Sequence, residues 1–182
     1  MPEKYLDKYR INSTRLQSWD YGWNGWYFVT IVTQDLKNYF GKINDKKMLL
    51  NELGIVAKNQ WIETEKIRHD MNIKLGEFVI MPNHMHGLIK INNNPYNCRD
   101  AMHRVCTSGD ERKHMNRNFF GPQRKNLASI IRGYKSSVTT YAKMNCIPFK
   151  WQRGFIDRII WNDTQLEEIE AYIKTNPESW NK

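Results

Sequence analysis

The sequence predicts an α+β protein, an antiparallel sheet with helices mainly on one face, and three observations predict it. Runs rich in β-branched and aromatic residues, such as Trp26 to Thr33, alternate with longer segments of helical spacing. Their order is strand, helix, strand pair, helix, strand, helix, which suits a sheet with helices gathered on one side. At 182 residues, with seven Trp, nine Tyr and seven Phe, the chain can fill one core and is short for two.

Residues 1–25 are polar and aromatic, with Arg10, Arg15, Trp19, Tyr21 and Trp23, and read as an ordered arm or a lead-in. Trp26 to Thr33 is the first strand. Tyr39 to Ile43 and Lys47 to Leu50, parted by Asn44-Asp45, form a small hairpin. Asn51 caps a helix running to about Asp70, with Leu53, Val56, Trp61 and Ile67 near helical spacing. Ile73 to Val79 then leads through Met81-Pro82-Asn83, a turn or bulge, into a further strand.

From Asn92 to Asn126 periodicity disappears and basic residues accumulate, so 93–126 reads as an insertion in a single domain spanning 1–182. His103 and His114 lie there and read as solvated loop residues. Leu127 to Met144 is a helix with Ile130, Ile131, Tyr134, Val138 and Tyr141 near one side. Phe155 to Trp161 is another strand. The last helix begins near Asp163, where Asn162-Asp163-Thr164 offers cap residues and Thr164-x-x-Glu167 has the capping-box pattern. Leu166, Ile169 and Ile173 give it an apolar stripe, and Asn176-Pro177 ends it.

Charge narrows the partners. Lys and Arg exceed Asp and Glu by 28 − 19 = 9, a balance that favours a polyanion because each neutralised phosphate releases condensed counterions. A membrane surface fits less well, for no long amphipathic helix has one cleanly basic face. No run approaches the 18 or so apolar residues of a spanning helix, and the charged start MPEKYLDKYR is unlike a signal peptide. Cys98, Cys106 and Cys146 form neither an even set nor a CxxC, which leads us to expect a reduced, cytoplasmic protein.

The chemistry-bearing stretch is Glu77-Phe-Val-Ile-Met-Pro-Asn-His-Met-His-Gly-Leu-Ile-Lys-Ile91. Side chains of a strand alternate faces, so His84 and His86 point the same way and Met85 the other. Two such imidazoles can hold a divalent ion. On the last helix, Tyr172 and Asn176 stand four apart and share one face. Laid beside the histidine strand, that helix would aim a phenol and an amide at one point.

The segment EFVIMPNHMHGLIKI resembles the His-hydrophobic-His strand of the HUH tyrosine transposases. More closely, it resembles their branch associated with repetitive extragenic palindromes, the REP-associated tyrosine transposases related to the smallest insertion-sequence enzymes. GWYFVTIVTQ, GYKSSVTTYAK and WQRGFIDRIIWNDTQLEEIEAYIKTNP follow in that family's order, so the likeness covers nearly the whole chain outside 93–126. The resemblance implies a ferredoxin-like fold and an N-terminal basic arm that touches DNA. It also implies a divalent metal, Mg²⁺ or Mn²⁺, on His84, His86 and Asn176, with Tyr172 as nucleophile in the motif Tyr-x-x-x-Asn-Pro. Arg132, Lys135, Arg153 and Arg158 are then the cations that grip DNA. The palindrome-associated branch acts as monomers, whereas related small transposases form dimers with shared sites; a monomer is expected here.

A phenol of pKa near 10 is a poor nucleophile until its anion or the transition state is stabilised. The implied reaction is attack of Tyr172 on a phosphodiester of single-stranded or hairpin DNA. It releases a 3′-hydroxyl and leaves a 5′-phosphotyrosine, conserving the bond without ATP. Tyr134 and Tyr141 are rival nucleophiles, and Lys135 beside Tyr134 would favour a phenolate. A histidine-triad hydrolase needs a third alternating His, but residue 88 is Leu. A two-motif phosphoesterase needs a second His-x-Ser/Thr, and His69-Asp-Met, His103-Arg-Val and His114-Met-Asn all fail. A noncatalytic nucleic-acid-binding module suits the same charge and aromatics. Convergence of Tyr172 and Asn176 with the histidines separates that reading from the enzyme.

Overall fold

Three antiparallel hairpin-like pairings organise the chain. The structure, a computed structural model, describes residues 19–92 and 125–180 and the short paired strands β1 (Lys4–Tyr5) and β2 (Lys8–Tyr9). The remainder of the N-terminal arm and all but the last two residues of the 93–126 insertion lie outside the described residues. Strand β3 (Gly25–Val32) follows, then the small hairpin of β4 (Gly41–Asn44) and β5 (Lys47–Leu50). Helix α1 (Glu52–Ile67) leads to β6 (Ile73–Ile80) and β7 (His84–Ile91). Helix α2 (Leu127–Met144), β8 (Ile156–Ile160) and α3 (Asp163–Thr175) complete the order. Among the described residues no helix is long and apolar enough to cross a membrane.

The main sheet has the order β6-β7-β3-β8, every neighbour antiparallel. Period-two alternation divides its side chains. Tyr27, Val29 and Ile31 on β3 and Met85, Ile89 and Ile91 on β7 are fully buried on one face. There they meet Leu53, Ala57 and Trp61 of α1 and Ile130, Ile131, Tyr134 and Val138 of α2, forming the larger core. The other face presents Trp26, Phe28 and Thr30 beside His84, His86 and Leu88.

That second face is where the architecture becomes informative. Two helices lie on the first face, as expected, but α3 crosses the second. Its Leu166, Ile169 and Ile173 pack on Leu88, Ile160, Trp26, Phe28 and Val79 as a separate small core. Burying Ile169 and Ile173 is worth about 2 kcal/mol each, enough to hold a helix of this length in place. The helix starts at Asn162, whose side chain accepts from the Gln165 N–H at 2.9 Å; the capping-box pattern at Thr164 is therefore not the cap used.

The buried stripe of α1 also differs from expectation. It consists of Leu53, Gly54, Ala57, Trp61 and Thr64, whereas Ile67 is exposed and Val56 only half-buried. Between a sheet and α2 only a narrow strip of the helix meets the core, and small residues at 54 and 57 allow the close approach. A Cβ on Gly54 would sit 2.1 Å from the Phe40 carbonyl oxygen.

Candidate active site

The site begins with strand register. Pairing of β7 with β3 sets His86 opposite Thr30 and His84 opposite Val32, so both imidazoles stand on the face that α3 covers. The β6–β7 connection, Met81-Pro82-Asn83, is buried and places His84 at the first position of β7. Asn83 is tied down on every side. Its backbone carbonyl accepts from the Thr33 N–H at 2.9 Å and the Thr33 hydroxyl at 2.8 Å, and its Nδ2 donates to the Leu36 carbonyl at 3.0 Å.

Each imidazole is oriented through Nδ1. His84 Nδ1 lies 2.7 Å from Asn83 Oδ1; because that oxygen only accepts, the hydrogen is on Nδ1 and Nε2 carries the lone pair. His86 Nδ1 lies 2.8 Å from the Thr30 hydroxyl. With the hydrogen on Nδ1, His86 also keeps Nε2 as an acceptor. Phe28 stacks on the His86 ring at 5.3 Å and 23°. The two histidine rings are 4.6 Å apart and nearly perpendicular. His86 is 7 % exposed, and burial, with the neighbouring His84, pushes its pKa down to about 3. It is a neutral base near pH 7, the form that ligates metals.

Helix α3 completes the arrangement. Tyr172 sits one residue before the buried Ile173, at the margin of the apolar stripe, and is 47 % exposed. Its hydroxyl is 3.3 Å from His86 Nε2, and its ring stands edge-on to Phe28 at 6.2 Å. Asn176, four residues on, is buried at the C-cap. A further four residues along, the Trp180 ring lies 5.7 Å from His84. The chain therefore passes Asn176 between a residue that touches His86 and one that touches His84. A Lys174–Glu77 ion pair at 3.3 Å ties the helix to β6, though both side chains are too exposed for it to contribute much.

The rival tyrosines stand elsewhere. Tyr134 belongs to the core on the opposite face, and burial drives its pKa upward, against the phenolate that Lys135 was expected to favour. Tyr141 donates a short hydrogen bond to Glu52, which raises its pKa first through that bond, then through burial and through the carboxylate charge. The Lys135 ammonium donates to the Gln152 and Gly154 carbonyls at 2.7 and 2.8 Å and leans on the Trp151 ring. It fixes the loop that carries the exposed Arg153. Gln152 N–H in turn donates to the carbonyl of Val32, the residue opposite His84. Arg158 is exposed on the histidine face opposite Phe28, while Arg132 lies on the outer surface of α2.

Sequence reasoning missed Thr30, Asn83, Phe28 and Trp180. Asn83 carried a signal, since it adjoins His84 in a buried turn; Thr30 required the strand register. Among the described residues no group of three His, Cys, Asp or Glu could hold a metal. The donor set on hand is instead two oriented imidazoles and one amide. Second-neighbour hydrogen bonds on both Nδ1 atoms are what metal-ligating histidines ordinarily have, and in this sense the residues fit a divalent ion.

No family model matches the chain. An uncharacterised protein of Haemophilus influenzae (strain ATCC 51907 / DSM 11121 / KW20 / Rd) is 31 % identical over 172 residues, covering 93 % of this chain and 89 % of that protein. The chain belongs to that protein's family. Among solved structures, a REP-associated tyrosine transposase bound to a REP hairpin has a TM-score of 0.55 and 17 % identity, over 94 % of this chain and 76 % of that one. That likeness is one of fold.

Proposed function

We propose that the chain is a tyrosine transposase-like nuclease that cleaves and rejoins single-stranded DNA beside a hairpin. The observation that carries the reading is the meeting of Tyr172 with His86 across the face that α3 covers. A noncatalytic binder gains nothing from setting an exposed phenol against a buried, oriented imidazole. The family resemblance supplies the reaction, and the basic charge supports a DNA partner.

His84 and His86 would hold a divalent ion through Nε2, with Asn176 as a third, neutral ligand. Bound there, the ion would polarise the scissile phosphate and offset developing charge. Imidazole suits Mn²⁺ better than Mg²⁺, which prefers oxygen ligands and keeps its waters. Thr30 and Asn83 keep both rings from turning, so the Nε2 atoms stay aimed. Tyr172 Oη attacks phosphorus; one P–O bond forms while the bond to the 3′-oxygen breaks. The proton lost by the phenol is balanced by the one the departing 3′-oxygen takes up. Arg158, on the histidine face of β8, and Arg153, on the loop that Lys135 fixes, would grip the backbone of the strand.

Incubating the protein with labelled hairpin DNA carrying a single-stranded flank, with Mn²⁺ or Mg²⁺, tests this. We expect a covalent protein–DNA species whose DNA maps by peptide analysis to Tyr172. Cleavage with no trapped species would indicate a water nucleophile and overturn the reading. Binding without cleavage under either metal would leave only the binding module.

A further inference from the structure

The turn that follows β3 is strained. Asp35 and Leu36 are consecutive residues with positive φ, 57° and 53°, a conformation that crowds the Cβ of any residue but glycine. Both are exposed, Leu36 at 55 %, so core packing does not force the turn. Hydrogen bonds do. Gln34 N–H donates to the Lys150 carbonyl at 2.9 Å. The single hydrogen of the Thr33 hydroxyl is shared between the Lys37 carbonyl at 2.7 Å and the Asn83 carbonyl at 2.8 Å. The Leu36 carbonyl is turned toward Asn83, which is 2 % exposed and donates to it from Nδ2 at 3.0 Å. Backbone strain persists where its surroundings over-determine it, and such places gather at functional sites.

Asn83 adjoins His84, and the two halves of its amide have different partners. A carbonyl only accepts, so the half facing Leu36 is the NH₂ group, and the oxygen is left for His84 Nδ1 at 2.7 Å. That oxygen only accepts in its turn, so Nδ1 holds the hydrogen. With the amide turned over, both contacts fail. Its oxygen would face the Leu36 carbonyl, and its NH₂ would meet an N–H unless His84 took the other tautomer, which has no lone pair on Nε2. His86 has no such constraint, because its partner, the Thr30 hydroxyl, can donate or accept.

We propose that the Thr33–Lys37 turn is a positioning element of the histidine site. Its Leu36 carbonyl fixes the Asn83 amide, and the amide fixes His84 as the tautomer with the lone pair on Nε2. The consequence for a divalent ion rests on the metal reading above; the tautomer itself does not. Leu36, an exposed residue, thereby acts on the site through its backbone alone.

Long-range proton–nitrogen correlation spectra of the full chain, metal-free and with both imidazoles neutral, read the tautomer directly. His84→Ala identifies the signals. In the wild type we expect the hydrogen of His84 on Nδ1; a hydrogen on Nε2 overturns the proposal, and this arm needs no other variant to fold. Asn83→Ala should let the hydrogen redistribute to Nε2. Leu36→Pro cannot take positive φ and loses the N–H that bonds the Thr33 carbonyl, so it should open the turn and shift the hydrogen likewise. Mn²⁺ affinity, by calorimetric titration, should fall about 10- to 100-fold in both. Leu36→Gly takes positive φ freely and should keep the wild-type tautomer and affinity. The wild-type tautomer in folded Asn83→Ala or folded Leu36→Pro overturns the proposal. A tautomer that switches in both variants while the wild type binds no Mn²⁺ upholds the role of the turn and defeats the metal reading instead.

Discussion

The phenolic oxygen of Tyr172 and Nε2 of His86 lie 3.3 Å apart, brought together by a helix that packs on the face opposite the other two. Were α3 gathered with α1 and α2, Tyr172 would be a full sheet's thickness from both histidines. The placement follows from two aliphatic patches, Leu88 with Ile160 on the sheet and Ile169 with Ile173 on the helix. Neither patch is part of the chemistry, yet together they position it.

Tyr172→Phe removes the oxygen and leaves the ring against Phe28. The residue is half exposed, so stability should change by no more than about 1 kcal/mol. Covalent adduct formation should vanish while DNA affinity stays within about twofold. Adduct yield on a denaturing gel and a thermal melt check both halves.

Thr30→Val keeps the shape and strand preference of residue 30 but removes the hydroxyl that meets His86 Nδ1. The ring is then free to turn, and metal affinity should fall about 10- to 100-fold, as with other lost partners of ligating histidines. Calorimetric titration with Mn²⁺ measures this without DNA. An unchanged affinity would mean that Thr30 does not orient the ring.

Much of this was legible in the sequence, and what was not has a physical reason. His-x-His on a strand and Tyr-x-x-x-Asn on a helix each fix a shared face by local geometry alone, so those pairs could be named. Which side of the sheet α3 would take depends on where Leu88 and Ile160 meet across strands distant in sequence. Thr30 as the partner of His86 likewise depends on the β3–β7 register. The α1 stripe was misjudged because periodicity counted Val56 and Ile67 as apolar, whereas close helix packing selected Ala57 and Thr64. Lys135 illustrates the same limit: its hold on the Gln152 and Gly154 carbonyls depends on where a loop distant in sequence comes to lie.

Tyr134→Phe tests the rival nucleophile and the core together. Among the described residues the buried Tyr134 hydroxyl has no hydrogen-bond partner. Deleting it removes a desolvated polar group and leaves the ring against Trp61, so the protein should gain about 1 kcal/mol. Adduct yield should not change. A melt that shifts downward, or a lost adduct, would contradict this placement.

Gly87→Ala probes how the two faces communicate. Gly87 lies between His86 and Leu88 but on the opposite face, where an added Cβ would come 2.4 Å from Cζ2 of Trp61. Trp61 is fully buried and hemmed in by Phe78 and Tyr134, so it has little room to tilt away. The strain falls either on the indole or on the β7 backbone, at a cost of about 1 to 3 kcal/mol. For a chain of this size that lowers the melting temperature by roughly 2 to 4 °C per kcal/mol. If β7 yields, His86 moves with it, and Mn²⁺ affinity should fall in the same variant although no ligand has been touched. If the indole yields, stability drops and Mn²⁺ affinity is kept. The paired melt and titration therefore tell which wall of the larger core is the stiffer, and we expect the backbone to yield, since the indole is walled on both sides.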